Sequence, residues 1–145
     1  MHRIFLALAF CLIGGSALAE VTRVIDDTSA ARKAIGVEDT IAAQMDAFLA
    51  DDFDKAFTFA SPLIQQKYGT VEDFGATVRG AYPMVWRPAE VLYYDQESRG
   101  SAVWQRLRIT DGDGVEHWFI YEMVRIDDEW RVNGVYPTRA PELSV

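Results

Sequence analysis

One cysteine, two histidines and five prolines are all that 145 residues hold of those types, and acidic residues outnumber basic ones 22 to 14. A formal charge of −8 argues against clustered Lys and Arg of the kind that phosphate contacts require, so nucleic acid is not an expected partner. A lone Cys11 excludes an internal disulfide and a thiolate metal cluster, and two histidines exclude a poly-His zinc site. No metal and no cofactor is expected. No G-x-S-x-G segment is present, so a hydrolase triad has no support. The longest apolar run, Ile4–Ile13, has ten residues, about half of the roughly 20 needed to cross a bilayer. What remains is half apolar and 12% aromatic, the composition of one ordinary globular domain.

The start of the chain reads as an address. Arg3 supplies a positive start, Ile4–Ile13 an apolar run, Gly14-Gly15-Ser16 a break, and Ala17-Leu18-Ala19 the small residues of a peptidase site. Export by a secretory signal peptide cleaved after Ala19 is therefore expected, to a periplasmic or secreted destination and with no membrane span after cleavage. Removing 19 of 145 residues leaves 126, without cysteine and with His117 as the single imidazole. Losing Arg3 takes the charge from −8 to −9. Such a chain is held by its core alone, and its length allows one of sufficient size.

After a polar, flexible lead over 20–36, periodicity divides the chain in two. Ile41, Met45, Phe48 and Leu49 make one apolar stripe and predict a helix over Val37–Ala50, with Asp39 favouring its N-terminus. A second helix is expected over Asp52–Phe59, capped by Asp51 or Asp52 and stopped by Ser61-Pro62. Leu63 and Ile64 fall in a short turn. A third helix runs from Val71 to about Arg79 behind the capping pattern Thr70-Val71-Glu72-Asp73. Tyr82-Pro83 ends the helical half. Alternation of period two then marks strands over Pro88–Glu97, Ala102–Thr110, Val115–Ile126 and Glu129–Tyr136. Their connections, Ser98-Arg99-Gly100, Asp111-Gly112-Asp113-Gly114 and Asp127-Asp128, carry turn chemistry and imply antiparallel hairpins. The expected fold is α+β: N-terminal helices packed on a curved, cone-like, four-stranded antiparallel sheet over 37–136, followed by a tail over 137–145.

Several segments occur in a recognisable order: Gln44, Asp46-Ala47-Phe48, Asp51-Asp52, Ala56-Phe57-Thr58-Phe59-Ala60-Ser61-Pro62, Tyr68-Gly69, Tyr82-Pro83-Met84-Val85 and Arg87-Pro88. Gln105, Gly114, Tyr121-Glu122-Met123 and Trp130-Arg131-Val132-Asn133-Gly134-Val135 continue it. Over roughly 38–136 the chain resembles a family of small secreted proteins of alpha-proteobacterial type, described as a domain of unknown function. That family is in turn similar to the nuclear-transport-factor-2-like superfamily. The resemblance implies a conical α+β fold and, in many such proteins, dimerisation through the sheet. It implies no activity, since the superfamily holds enzymes and non-catalytic binding domains alike.

Four groups of residues merit a functional reading beside a structural one. Asp111-Gly112-Asp113-Gly114-Val115-Glu116 resembles part of a calcium loop but has three acids where such a loop has about five ligands, and a hairpin turn accounts for it. Asp46, Asp51, Asp52 and Asp54 cluster as a pair of carboxylates in acid–base catalysis would, yet two of them sit where helix caps are wanted. His117 is the one side chain poised to titrate near neutral pH, and a rim position explains it. The fourth group is aromatic. Gln105 shares a face with Val103, Leu107 and Ile109, so an amide is expected in the core and needs partners. Tyr121 supplies one if odd residues face odd across the turn, Glu122 if the register is opposite, and the turn leaves both open. Gln105, Tyr121, Tyr82, Trp86 and Arg87 are the candidate lining of a small-ligand pocket, against the alternative that aromatics simply fill the core. Trp104, Arg106, Arg108 and Trp118 fall on the other face, with the composition of a protein interface, and mark a surface for a homodimer through the sheet or for another protein partner.

The functional expectation is a non-catalytic domain that binds a small apolar or amphipathic ligand or a protein partner. The alternatives are an enzyme of the ketosteroid-isomerase or polyketide-cyclase kind, with Tyr82 or Tyr121 as donor and Glu122 or His117 as proton acceptor, and a purely structural dimeric module.

Overall fold

A computed structural model describes residues 36–142. The expected signal peptide over 1–19, nearly all of the lead over 20–36 and the last three residues of the tail lie outside them.

Among the described residues, five helices precede four strands. Helix α1, Val37–Leu49, buries Val37, Ile41, Met45 and Phe48, spaced so that each lies about one turn beyond the last. Its first turn is closed by the Asp39 carboxylate, which accepts the Gly36 N–H at 2.9 Å. Helix α2, Phe53–Thr58, begins at Asp52, whose carboxylate accepts the Lys55 N–H at 3.1 Å. Helix α4, Val71–Ala81, is capped by Thr70, which accepts from the Asp73 N–H. These three follow the sequence expectation within two residues at each end.

Two helices were not expected. The turn assigned to Leu63 and Ile64 is helix α3, Pro62–Tyr68, and Pro83–Trp86 forms a short α5. Both start with proline at the first helical position, where a missing N–H costs nothing and the fixed φ suits the helix. Ser61 accepts the Ile64 N–H at 3.3 Å, and Gly69, at φ +76°, receives the chain after α3. The dipeptide that stops α2 therefore also starts α3.

The strands are β1 Glu90–Arg99, β2 Ala102–Thr110, β3 Glu116–Ile126 and β4 Glu129–Pro137, antiparallel in the order β1-β2-β3-β4. The open register closes with odd facing odd: Gln105 lies opposite Tyr121 and Leu107 opposite Phe119. Two bulges interrupt it. Tyr94 and Asp95 of β1 stand against a single residue of β2, and Asn133 is the extra residue of β4 between the partners of Glu122 and Met123. Each bends its strand and reverses which residues face inward. On β4 the inward series accordingly passes from Val132 to Val135.

Helices and sheet share one core. Ile41, Phe48, Leu107, Ile109, Tyr121 and Met123 are at most 1% exposed, and each large apolar side chain so buried stabilises the fold by roughly 1.5–3 kcal/mol. Phe48 and Phe74 stack at 5.8 Å and Phe57 and Phe74 at 5.0 Å, joining α1, α2 and α4. A parallel bridge between Ala60 and Val132 fastens the α2–α3 junction to β4, through Ser61 N–H to Val132 C=O and Val132 N–H to Phe59 C=O, both at 2.8 Å. Among the described residues no helix is long and apolar enough to cross a membrane.

Candidate functional site

Between α3, α4 and β4 the core is not filled by its own side chains. A cavity of about 250 Å³ lies there. Its apolar walls come from Phe48, Ile64, Phe74, Val78, Val85, Val132 and Val135, and its polar groups from Gln44, Lys67, Thr77, Tyr82, Tyr121, Asn133 and Tyr136. The volume exceeds the ~150 Å³ of an apolar cavity that accepts benzene and falls just short of the roughly 300–1,000 Å³ of drug-sized sites.

The fold determines how these side chains arrive. The β4 bulge pushes Asn133 out of the ladder, where its Oδ1 accepts the Ser61 hydroxyl at 2.7 Å. The same bulge turns Val135 inward opposite Tyr121. Gln44, 4% exposed on α1, donates its amide to the Ala56 carbonyl at 3.2 Å. Tyr136 lies across Gly134, where any Cβ would collide with its ring, and its hydroxyl donates to Glu122 at 3.2 Å. The phenol of Tyr136 is held above its ordinary pKa by burial and by that carboxylate.

Tyr121 has a different status. Its side chain is fully buried and its hydroxyl makes no hydrogen bond among the described residues. Burial, and then the neighbouring phenols of Tyr93 and Tyr82, push its pKa upward. Tyr93, under the acidic face of α1, is itself raised to about 12, chiefly by burial and then by Glu38, Asp39 and Asp46. Tyr121 is thus a neutral donor in the cavity wall at any ordinary pH.

Of the five candidate lining residues, Tyr121 and Tyr82 line the cavity and the other three do not. Gln105 is fully buried as expected, but it does not bond to Tyr121 across the pair. Its amide donates to the Arg106 carbonyl at 2.7 Å and the Tyr94 carbonyl at 3.2 Å, because the β1 bulge leaves carbonyls there without ladder donors. Trp86 and Arg87 form a clip instead. Trp86 Nε1 donates to Asp51 at 2.9 Å, and Arg87 donates to Asp51 at 2.8 Å and to the Phe48 carbonyl at 2.8 Å. Together they tie α5 to the end of α1. These two donors hold the Asp51 carboxyl below its usual range, the Trp86 hydrogen bond most of all. Asp52 is the helix cap, and Asp46 and Asp54 are exposed, so the acidic cluster does not converge on a site.

The acid–base candidates are likewise separated. His117 Nε2 lies 2.8 Å from Asp111, whose other oxygen accepts the Asp113 and Val115 N–H groups at 2.9 and 3.0 Å. The His117 contact, before the backbone amides, lowers the Asp111 pKa. The Asp-Gly stretch is a hairpin anchor, and among the described residues no cluster of three or more His, Cys, Asp or Glu has metal-holding geometry. Glu122, next to Tyr121 along β3, points to the opposite face of the sheet and bonds to Tyr136.

That opposite face holds all four interface candidates, each partly exposed. Arg106 pairs with Asp95 at 3.1 Å, and Arg108 with Glu90 and Glu116 at 3.1 and 2.8 Å. The Arg99 guanidinium sits 3.9 Å over the Trp104 ring, and Trp118 packs on Tyr94 at 4.7 Å.

Sequence reasoning missed Lys67, Tyr68 and Ile64 because α3 was read as a turn, although proline at its first position and glycine past its end were visible. It missed Asn133 and Val135 because a bulge leaves no simple mark on alternation. Comparison with curated proteins and with solved structures gives no match to the chain. One family model matches, over residues 30–145, and its description is a domain of unknown function. A match over so much of the chain assigns it: the protein belongs to the DUF4864 family.

Proposed function

We propose that the chain is a non-catalytic binding domain that takes a small apolar or amphipathic molecule into the cavity between α3, α4 and β4. The observation that carries this reading is a space of about 250 Å³, walled mainly by buried apolar side chains, that the protein's own core leaves open. The architecture, helices followed by a four-stranded antiparallel sheet, supports the nuclear-transport-factor-2-like relationship, and export remains part of the proposal. The separation of Tyr121 and Tyr82 from Glu122 and His117 argues against the isomerase-like alternative, because proton transfer needs donor and acceptor within hydrogen-bond reach of one substrate. A second reading, a homodimer through the sheet, is favoured by Trp104 and Trp118 on the half-exposed face, where aromatic anchors commonly carry interfaces.

Native mass spectrometry of the full chain, purified without denaturation, tests the first reading. The wild type is expected to carry a small molecule, and Val78→Phe, which fills the cavity, is expected to carry none while remaining folded. A wild type that emerges bare and shows no thermal shift with benzene or indole overturns it.

A further inference from the structure

The charges at the cavity point to one class of ligand. The chain holds 22 acidic and 14 basic residues, so a random stretch of its surface is expected to carry more carboxylates than cations. The cavity lining inverts that ratio: it contains no Asp or Glu and one cation, Lys67. Lys67 ends the last turn of α3 with its side chain exposed. Arg87, Arg99, Arg106, Arg108, Arg125 and Arg131 each stand within 4 Å of a carboxylate. Lys67, like Lys55, Arg79 and Arg139, has no such partner among the described residues, but of these four it alone lines the cavity, and its ammonium rests 5.4 Å from the centre of the Tyr68 ring, another lining residue. Glu122, the acid that the lining residue Tyr136 reaches, accepts that hydroxyl on the opposite face of the sheet.

We infer that the cavity selects small apolar monocarboxylic acids, one ring or a short acyl chain in size, with the apolar end among Phe48, Val78 and Val132 and the carboxylate at Lys67. This rests on the binding-domain reading above and deepens it. The orientation follows from desolvation. A carboxylate taken alone into an apolar interior loses far more than it gains, so the charged end stays at the exposed lysine while the hydrocarbon end is buried. An amine ligand would meet a like charge and no counter-ion. The size follows from the volume, which lies between that of a benzene site and that of a drug-sized one.

Isothermal titration of the full chain with two isosteric pairs, phenylacetate against phenylacetamide and hexanoate against hexanamide, tests it. The acids are expected to bind about two- to fivefold more tightly than the amides, the range for a partly exposed ion pair. Lys67→Met is expected to erase that preference, the acids and amides then binding equally; Lys67 is exposed, so the variant keeps the core intact. Raising the salt concentration should shrink the preference in the wild type, because exposed charges are screened. Amides that bind as well as acids, or a preference that survives Lys67→Met, overturn the inference and leave the apolar binding site standing. Failure of all four compounds to bind overturns both.

Discussion

The hydroxyl of Tyr121 is a donor that the fold buries and leaves unbonded, and an unsatisfied buried polar group costs about 1–3 kcal/mol. Tyr121→Phe keeps the ring and removes that cost, so it is expected to stabilise the ligand-free chain by roughly 1 kcal/mol in chemical denaturation. A loss of similar size would show that the hydroxyl has a partner. Gln105 predicts the opposite outcome. Its amide satisfies the Arg106 and Tyr94 carbonyls while its own Oε1 is buried without a partner among the described residues, so Gln105→Leu orphans two carbonyls, removes one orphan, and is expected to destabilise by the net cost of one unsatisfied group, about 1–3 kcal/mol. Gln105 was legible as a buried polar group from alternation alone, since it lies between Val103 and Leu107, whereas the burial of Tyr121 depends on a hairpin register that the turn leaves open. The partners of Gln105 were not legible, because the bulge that exposes the carbonyls is a property of β1, one strand away.

Among elements, the hairpins carry the clearest sequence signatures. The β3–β4 connection is two residues, Asp127 and Asp128, at φ +51° and +66°. Both central residues of this turn type are left-handed, and glycine adopts that conformation without the Cβ penalty. Asp128→Gly is expected to raise stability by about 0.5–1 kcal/mol in thermal unfolding, since an L-residue there costs roughly 1–2 kcal/mol and aspartate somewhat less. The β2–β3 hairpin depends on pH. The Asp111 carboxyl is held below its ordinary value of 3.8, first by His117. A carboxyl with a depressed folded pKa adds stability above its unfolded value and loses it as pH falls through the folded one. Amide exchange of Val115 and Asp113 is therefore expected to accelerate as pH drops below about 4, relative to that of β3–β4, and Asp111→Asn should remove the pH dependence. Helix boundaries were legible wherever a side-chain cap announced them, as at Asp52 and Thr70. Helix α3 was not, because Ser-Pro terminates one helix and begins another with the same two residues, and only the position of Gly69 separates the two outcomes.

For the molecule as a whole, the order of helices and strands was legible from the change of period near Pro83, whereas the cavity was not. A space exists where several elements fail to fill it, and no single segment records that. The half-exposed sheet face predicts self-association. Sedimentation velocity is expected to show a dimer that Trp104→Glu converts to a monomer; a wild type that stays monomeric at every concentration removes the homodimer reading. The two bulges and the Ala60–Val132 bridge bear on how such association proceeds. An outermost strand with unpaired N–H and C=O groups invites another chain to extend the sheet, the route to fibrils. Here the β1 margin is kinked and dressed with Asp95, Glu97 and Arg99, and the β4 margin is capped by Phe59–Ser61 and ends at Pro137. Copies of this protein are thereby steered away from rim-to-rim growth, which leaves the faces of the sheet, and not its margins, as the place where two copies can meet.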